Sequence, residues 1–287
     1  MSAKPLDGKL VRDQILSGLK PRIAALKRPP GLAVVLIGND PASEIYVRNK
    51  VRACAELGIH SEKITPPADL STSDLLAIIR RLNERPEIDG ILVQSPMPPQ
   101  IEHRRVLTSI APDKDADGFH PLNLGNLVAN IPAPRACTPA GIIEMLRRYE
   151  IPIAGKHAVV IGRSDIVGKP LALLLLHSNA TVTICHSKTT QLAEEARRAD
   201  ILVAAIGRPA FVTGEFIKPG ATVIDVGMNR VAAETPGKTR FVGDVHPDHV
   251  QQIASAYTPV PGGVGPLTVA MLMSNTVAAA ERHLCSV

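Results

Sequence analysis

Ala158-Val159-Val160-Ile161 runs directly into Gly162-Arg163-Ser164-Asp165-Ile166-Val167-Gly168-Lys169-Pro170 and then into the apolar run Leu171–Leu176. This reads as a buried strand, a glycine-bearing turn and a helix. In that arrangement the turn lets backbone N–H groups and the positive end of the helix approach a pyrophosphate. The spacing is not G-x-G-x-x-G, because Ser164 takes the place of the middle glycine and the last glycine comes one position late. A plain strand-to-helix turn without a ligand therefore stays open at this point. Gly168-Lys169 has the look of a P-loop, but Pro170 stands where Ser or Thr would bind magnesium, and that reading is excluded.

Working outward, further Val/Ile/Leu-rich runs at Thr181–Cys185, Ile201–Ala205, Thr222–Val226 and Phe241–Val245 predict strands, which makes five in this stretch and a doubly wound, Rossmann-like domain. Before them, Thr138 can cap a helix with Pro139 at its first position and Ile142, Met145, Leu146 and Tyr149 at helical spacing. After them, the loop Pro259–Pro266 leads into an Ala-rich helix over Leu267–His283, expected to cross back onto the first domain. The first half reads as a helix over Gly8–Leu26, a strand at Leu32–Ile37, helices at Ser43–Leu57 and Ser73–Glu84, a strand at Gly90–Gln94 and a short helix near Glu102–Ser109. Alternating strands and helices make the class α/β. Ala111–Pro134, rich in Pro, Asp, Asn and Gly, reads as a linker carrying a functional loop. The expected division is an N-terminal catalytic domain over 1–120, completed by the helix at 267–287, and a nucleotide-binding domain over 138–264.

A chain of 287 residues with 45% hydrophobic content can bury two modest cores. No apolar run approaches membrane-spanning length, and Met1-Ser2-Ala3-Lys4-Pro5-Leu6 lacks the apolar stretch of a secretory signal, so a cytoplasmic location is expected. Cys54, Cys137, Cys185 and Cys285 form no C-x-x-C pair and sit in apolar surroundings, which reads as buried free thiols and no metal site. The net charge of +5 is spread along the chain and aromatics make up only 2%, which disfavours a base-stacking nucleic-acid platform. A small anionic ligand satisfies the same charge.

The second strand of the nucleotide domain ends Cys185-His186-Ser187-Lys188-Thr189, with no acid to hold ribose hydroxyls. Ser187 and Lys188, with Arg163 from the turn, can hold a ribose phosphate, which tilts the reading toward NADP. Elsewhere, Tyr46, Lys50, Ala53 and Leu57 share one face of a helix, and Val47, Val51 and Cys54 form the adjoining stripe. Lys50 is thus off the polar side. Either its stem snorkels to water, or a cleft desolvates the ammonium for proton transfer or substrate polarisation. Gln94, at a strand end, and Asp117, in Asp113-Lys114-Asp115-Ala116-Asp117-Gly118, sit where ligands bind in parallel sheets. The aspartate loop starts like an EF-hand, but Leu124 replaces its bidentate Glu and Pro121 interrupts it, so calcium is set aside.

With these residues in view, the chain resembles the bifunctional methylenetetrahydrofolate dehydrogenase/methenyltetrahydrofolate cyclohydrolase family. The resemblance runs from about Leu6 to the final helix. It rests on Ser43–Lys50, Asp89–Pro96, Lys114–Phe119, the Gly162–Gly168 turn, Cys185–Thr189 and Thr258-Pro259-Val260-Pro261-Gly262-Gly263-Val264-Gly265-Pro266-Leu267-Thr268. It implies a homodimer of two-domain subunits, with a folate in the cleft between domains and NADP on the second domain. It implies that Lys50 is the central catalytic group, assisted by Tyr46 and Gln94, and that Asp117 anchors the pterin. Gly162, Arg163, Ser164, Ser187 and Met228 would contact the cofactor, and Pro261, Gly262 and Gly263 would keep a loop close to the ligands. The implied metabolic place is tetrahydrofolate interconversion supplying purine biosynthesis. Met228 stands where members often carry Ile, and Ser95 where leucine is more usual. The rival readings are a Rossmann dehydrogenase for another small substrate, against which the Tyr46/Lys50/Gln94/Asp117 set speaks, and a non-catalytic nucleotide or nucleic-acid binder, against which an intact Lys50 speaks.

Overall fold

The computed structural model describes residues 2–233 and 238–285. In chain order the first half holds β1 (Lys4–Pro5), α1 (Gly8–Ala24), β2 (Gly31–Val35), α2 (Pro41–Leu57), β3 (His60–Ile64), α3 (Thr72–Glu84), β4 (Gly90–Val93), α4 (His103–Ser109), α5 (Pro121–Val128) and α6 (Cys137–Arg148). There follow β5 (His157–Ile161), α7 (Gly168–His177), β6 (Thr181–Cys185), α8 (Leu192–Arg197), β7 (Ile201–Ala204), β8 (Thr222–Asp225), β9 (Asn229–Ala232), β10 (Thr239–Val242), α9 (Pro247–Ile253), β11 (Ala256–Tyr257) and α10 (Gly265–Cys285). The chain divides into two compact units. One comprises Asp13–Cys137 with Val269–Val287, the other Met1–Arg12 with Thr138–Thr268.

The first of these units is built on a three-stranded parallel sheet in the order β3-β2-β4. β2 and β4 are buried at every position, which is why they read as unbroken apolar runs. β3, His60-Ser61-Glu62-Lys63-Ile64, is a half-exposed edge strand with too polar a pattern to be recognised from its residues. Leu75, Ile79 and Leu82 of α3, at helical spacing, pack with Ala33, Val35, Ile91 and Val93 in one core. α2 is stopped cleanly at both ends. The Asp40 carboxylate accepts from the Ser43 N–H, Pro41 opens the helix, and Gly58 closes it at φ 74° with its N–H directed to Ala55 and Cys54 carbonyls. The segment read as a linker contains α5, opened by Pro121 and capped by the His120 ring, which accepts from the Leu122 N–H at 3.1 Å. Pro, Asn and Gly mask a helix of only two turns from composition alone.

Much of α10 folds with this unit. Its Glu281 takes a bidentate pair with Arg22 at 2.9 and 2.7 Å. Its His283 lies 2.9 Å from Asp89, a fully buried carboxylate that also receives both guanidinium arms of Arg28 and the Gly31 N–H. Burial alone would raise Asp89, but Arg28, His283 and the Gly31 amide outweigh it and hold the acid below the usual carboxylate range.

The second unit carries a six-stranded parallel sheet in the order β1-β11-β8-β7-β5-β6. From β5 the chain winds one way to β6 and the other way to β7 and β8, which puts a topological switch point at the turn after Ile161. Four of the expected strands lie in this sheet. The fifth, expected over Phe241–Val245, instead forms β10, which pairs antiparallel with β9 in a separate ribbon. The remaining places are taken by β11 and by β1 from the chain start. Residues 1–12, expected in the N-terminal domain, therefore group with the nucleotide-binding unit, because β1 pairs in parallel with β11. Such two-residue strands carry no sequence periodicity. α6 begins at Cys137, and the Thr138 hydroxyl meets that of Thr268 at 2.8 Å. Cys54, Cys137 and Cys185 are buried free thiols as expected, but Cys285 near the end of α10 is exposed. Among the described residues no helix is long and apolar enough to cross a membrane.

Ile79 is fully buried at the centre of its core. Ile79→Ala is expected to cost about 2–5 kcal/mol of unfolding free energy, read as an earlier transition in urea followed by circular dichroism.

Candidate active and cofactor sites

In the first unit, Lys50 comes from α2 and Gln94 follows β4. The chain leaves β2 for β3 on one side and returns to β4 on the other, so these two residues meet at the switch point of this sheet. Ser43, Val47, Lys50, Ala53, Cys54 and Leu57 are all buried along α2, so the ammonium sits on the core stripe at 8% exposure. It does not snorkel to solvent. Its Nζ donates to Gln94 Oε1 at 3.0 Å. The Gln94 amide is oriented for this, because its Nε2 donates to the Ser95 carbonyl and its backbone N–H donates to Val35 O at 2.8 Å, extending the β2–β4 ladder by one step. Gln94 takes one of the three donors that an ammonium carries. Tyr46, one turn earlier on α2, is 44% exposed, so its ring face can meet a ligand.

Asp117 lies in a loop that is held from several sides. Ile91 donates to Lys114 O at 2.7 Å and bridges Asp115 in parallel register. The buried Lys114 donates to Asn83 O and Arg85 O, and the buried Asp115 accepts from Gly118 N, His120 N and Asn123 Nδ2. Asn275 of α10 donates to Ala116 O and Arg135 O, both at 2.9 Å. Desolvation pushes the Asp117 carboxyl up to about 6, against the pull of the Lys50 ammonium, while Asp115 adds to the rise. The same desolvation raises the neighbouring Cys137 thiol well above its ordinary value, which keeps it protonated. Lys50, Gln94 and Asp117 are thus brought into one electrostatic neighbourhood. The supporting residues Lys114, Asp115 and Asn275 are visible only once the chain is folded.

In the second unit, Gly162 follows β5 at φ 133°, and a Cβ there would fall 2.2 Å from Ala205 O. A Cβ on Gly168 would fall 2.2 Å from Gly162 O. Both positions admit glycine alone, which accounts for the spacing of the turn. Ser164 Oγ accepts from the Val167 and Gly168 N–H groups and its carbonyl accepts from Lys169 N, so this serine caps the start of α7. Since β5 and β6 are neighbours in register, with Ile161 opposite Cys185, Arg163 and Ser187 extend from adjacent strand ends. Arg163, Ser187 and Lys188 are all exposed. Exposed cationic and hydroxyl groups with no carboxylate at the end of β6 fit a phosphorylated ribose.

Met228 lines a cavity of about 90 Å³ together with Pro261, Gly262, Gly263 and Gly265. The Gly8 N–H donates to Gly262 O at 2.9 Å, and a Cβ on Gly263 would meet Pro259 O and Thr258 Cβ at 2.7 Å. The Pro/Gly loop therefore depends on bare backbone at Gly263. All the cofactor-side residues and the Pro261–Gly263 loop lie in one unit, whereas Tyr46, Lys50, Gln94 and Asp117 lie in the other. Among the described residues no group of His, Cys, Asp or Glu is placed to hold a metal ion.

Residues 6–117 match the family model described as the catalytic domain of tetrahydrofolate dehydrogenase/cyclohydrolase, and residues 136–284 match the model of its NAD(P)-binding domain. The chain is 65% identical to the bifunctional protein FolD of Solibacter usitatus, over 97% of each chain. Among solved structures it is similar to the bifunctional enzyme FolD, a methylenetetrahydrofolate dehydrogenase/cyclohydrolase, from Campylobacter jejuni, with a TM-score of 0.94 and 42% identity over 99% of this chain and all of that one. It is also similar to the Trypanosoma brucei N5,N10-methylenetetrahydrofolate dehydrogenase-cyclohydrolase solved with NADP and an inhibitor. There the TM-score is 0.92 and the identity 40%, over 98% of each chain.

The raised Asp117 has a consequence for stability. Its folded value lies above its ordinary 3.8, so the folded protein binds this proton more tightly than the unfolded chain. That contribution is fully present at low pH and is lost as pH rises through about 6. Asp117→Asn removes the charge at every pH. The variant is expected to gain in Tm over the parent near pH 7.5 and to gain less near pH 4.5, by differential scanning fluorimetry at about those two values.

Proposed function

The chain belongs to the tetrahydrofolate dehydrogenase/cyclohydrolase family, and from that premise we propose that Lys50, Tyr46, Gln94 and Asp117 handle the folate while Gly162, Arg163, Ser164, Ser187 and Met228 hold the cofactor. The protein is a bifunctional enzyme: it oxidises methylenetetrahydrofolate to methenyltetrahydrofolate with NADP and hydrolyses the product to formyltetrahydrofolate. The observation that supports the residue roles best is the buried Lys50 ammonium, which donates to Gln94 and lies within the field of the Asp117 carboxyl.

When bound, NADP would supply the hydride acceptor for the methylene carbon, whose two flanking folate nitrogens can stabilise the resulting cation. The rest is the work of this chain's own groups. Asp117, its carboxyl desolvated and held by the Lys114–Gly118 loop, presents a hydrogen-bonding edge to the pterin. Tyr46 offers an exposed ring for stacking on it. Lys50, held by Gln94 as an ammonium, gives a proton to the ring nitrogen as the ring opens and takes one back from the hydroxyl formed when water adds to the methenyl carbon, the net proton of the hydrolysis leaving to solvent. A fixed lysine at that carbon replaces proton exchange with bulk water by transfer over one hydrogen bond.

For the cofactor, Gly162 and Gly168 let the turn pack closely on its own backbone, which leaves the N–H groups at the start of α7 in position for a pyrophosphate. Ser164 already accepts two N–H groups, so its own O–H is the donor it has to offer a phosphate oxygen. Arg163, Ser187 and Lys188 supply donors for a ribose phosphate, the feature by which this site would prefer NADP to NAD. Pro261–Gly263 would lie along the ligands. We place the enzyme in the cytoplasm as a homodimer, without nucleic-acid or membrane partners, making formyl groups for purine biosynthesis. The scattered charge and the low aromatic content are what speak against a nucleic-acid platform.

Lys50→Met tests the central role. The folded variant is expected to lose about 10²-fold or more of its cyclohydrolase rate, followed as decay of methenyltetrahydrofolate absorbance, while still binding NADPH. Wild-type hydrolysis by a folded Lys50→Met protein would remove Lys50 from the mechanism.

A further inference from the structure

Two carboxylates that the reaction does not use lie buried at the ligand-side edge of the six-stranded sheet. Asp225, the last residue of β8, is 5% exposed, and Asp244 is fully buried. Asp225 Oδ1 accepts from the Gly227 and Asp244 N–H groups and its Oδ2 from Val245 N, all at 2.9 Å. Asp244 Oδ2 accepts from Ile206 N at 2.7 Å and Gly207 N at 3.0 Å. Its Oδ1 accepts from Arg208 N and from the Asn229 side chain, both at 2.9 Å. The backbone makes room for these acids. A Cβ on Gly227 would fall 2.3 Å from Asp244 Oδ1, and one on Gly243 would fall 1.8 Å from Asp225 Oδ2.

Besides Asp244 and Val245 themselves, which follow β10, the amides held in this way belong to two segments at the same edge of the sheet. Ile206, Gly207 and Arg208 follow β7, directly after Ala205, whose carbonyl packs on Gly162. Gly227 and Asn229 follow β8, and Met228 lies between them. Asp225 also reaches the third segment of the edge, since its N–H donates to the Thr258 hydroxyl at 2.7 Å at the start of the Pro/Gly loop. Holding two acids this close in the interior is costly. Burial pushes Asp225 up to about 6 against its three N–H donors, and Asp244 adds to the rise.

We propose that Asp225 and Asp244 are positioning residues for the dehydrogenase step: together they lock the segments after β7 and β8, and so set where Met228 and the Gly162 turn meet the bound cofactor. The inference rests on the cofactor occupying this edge, as argued above. Asp244 is fully buried and Asp225, 5% exposed, only borders the Met228 cavity, so neither acid is assigned a contact with the cofactor or the folate. They act through the backbone that they hold.

The test uses the full-length protein and the separation of its two activities. Asp244→Asn keeps the volume, but its NH₂ group faces donors on one side, so it can no longer accept from both sets of amides. It is expected to raise the KM for NADP about tenfold or more, with a matching loss of NADPH affinity by fluorescence titration. Its cofactor-independent hydrolysis of methenyltetrahydrofolate is expected to stay within about twofold of wild type. Asn229→Ala, which removes one side-chain contact from a half-buried position, is expected to move the same parameter in the same direction by about threefold. If Asp244→Asn does not fold, Asn229→Ala decides alone. A wild-type KM for NADP in folded Asp244→Asn, or in Asn229→Ala when it is the deciding variant, overturns the inference, as does a parallel fall of both activities in a folded variant. Failure of the wild-type protein to bind NADPH would instead overturn the cofactor assignment, and this inference with it.

Discussion

A lysine ammonium withdrawn from water must be given a hydrogen-bond partner, and the position of Lys50 imposes that requirement on its surroundings. Among the described residues Gln94 Oε1 takes one of the three donors of the ammonium. The distance holds only if α2 and β4 are both fixed. α2 is fixed by its Asp40 and Gly58 caps and by the Val47/Cys54/Leu57 stripe, and β4 by its ladder with β2 and by the amide anchor on Ser95. The buried edge of the unit is thus organised around a polar contact, with the apolar core serving as its mounting.

The aspartates show how one residue type serves opposite ends. Asp115, Asp225 and Asp244 each accept from several backbone N–H groups, and so act as pins for loops that have no regular ladder of their own. Asp89 does the same between two side chains and a strand. Asp117, two residues from Asp115 in the same loop, is desolvated and raised instead. Its neighbours hold the loop in its place. Both units also follow one geometric rule. A parallel sheet that winds away in two directions leaves a crevice at its strand ends, and the chain puts Lys50 and Gln94 at one switch point and the Gly162 turn at the other.

Much of this was legible in the residues alone. Fully buried strands such as β2, β4 and β7 are continuous apolar runs, and a run of that kind is informative because burial on both faces demands it. Lys50 stood out because helical periodicity put a charge on an apolar stripe, and Gly162 and Gly168 because they punctuate a strand-to-helix turn. The elements that escaped notice, among them β1, β3, β11 and α5, are short, edge-placed or rich in Pro and Asn. What forms the strands among them is pairing with distant residues rather than any pattern of their own.

The amino-acid sequence by itself determined the α/β class, the strand-turn-helix of the nucleotide unit and the identities of Lys50, Gln94 and Asp117, because periodicity and turn chemistry are local properties of the chain. Only the tertiary structure decided that the first residues join the sheet of the nucleotide unit and that Lys50 is satisfied by Gln94 instead of water. It also decided that Asn275, on the last helix, steadies the Asp117 loop, and that Asp225 and Asp244 share one buried cluster. Each of those depends on which backbone and side-chain groups are left without a partner once distant segments meet. Such a shortage has no local signature, and it is met only by whatever the fold brings within hydrogen-bond reach.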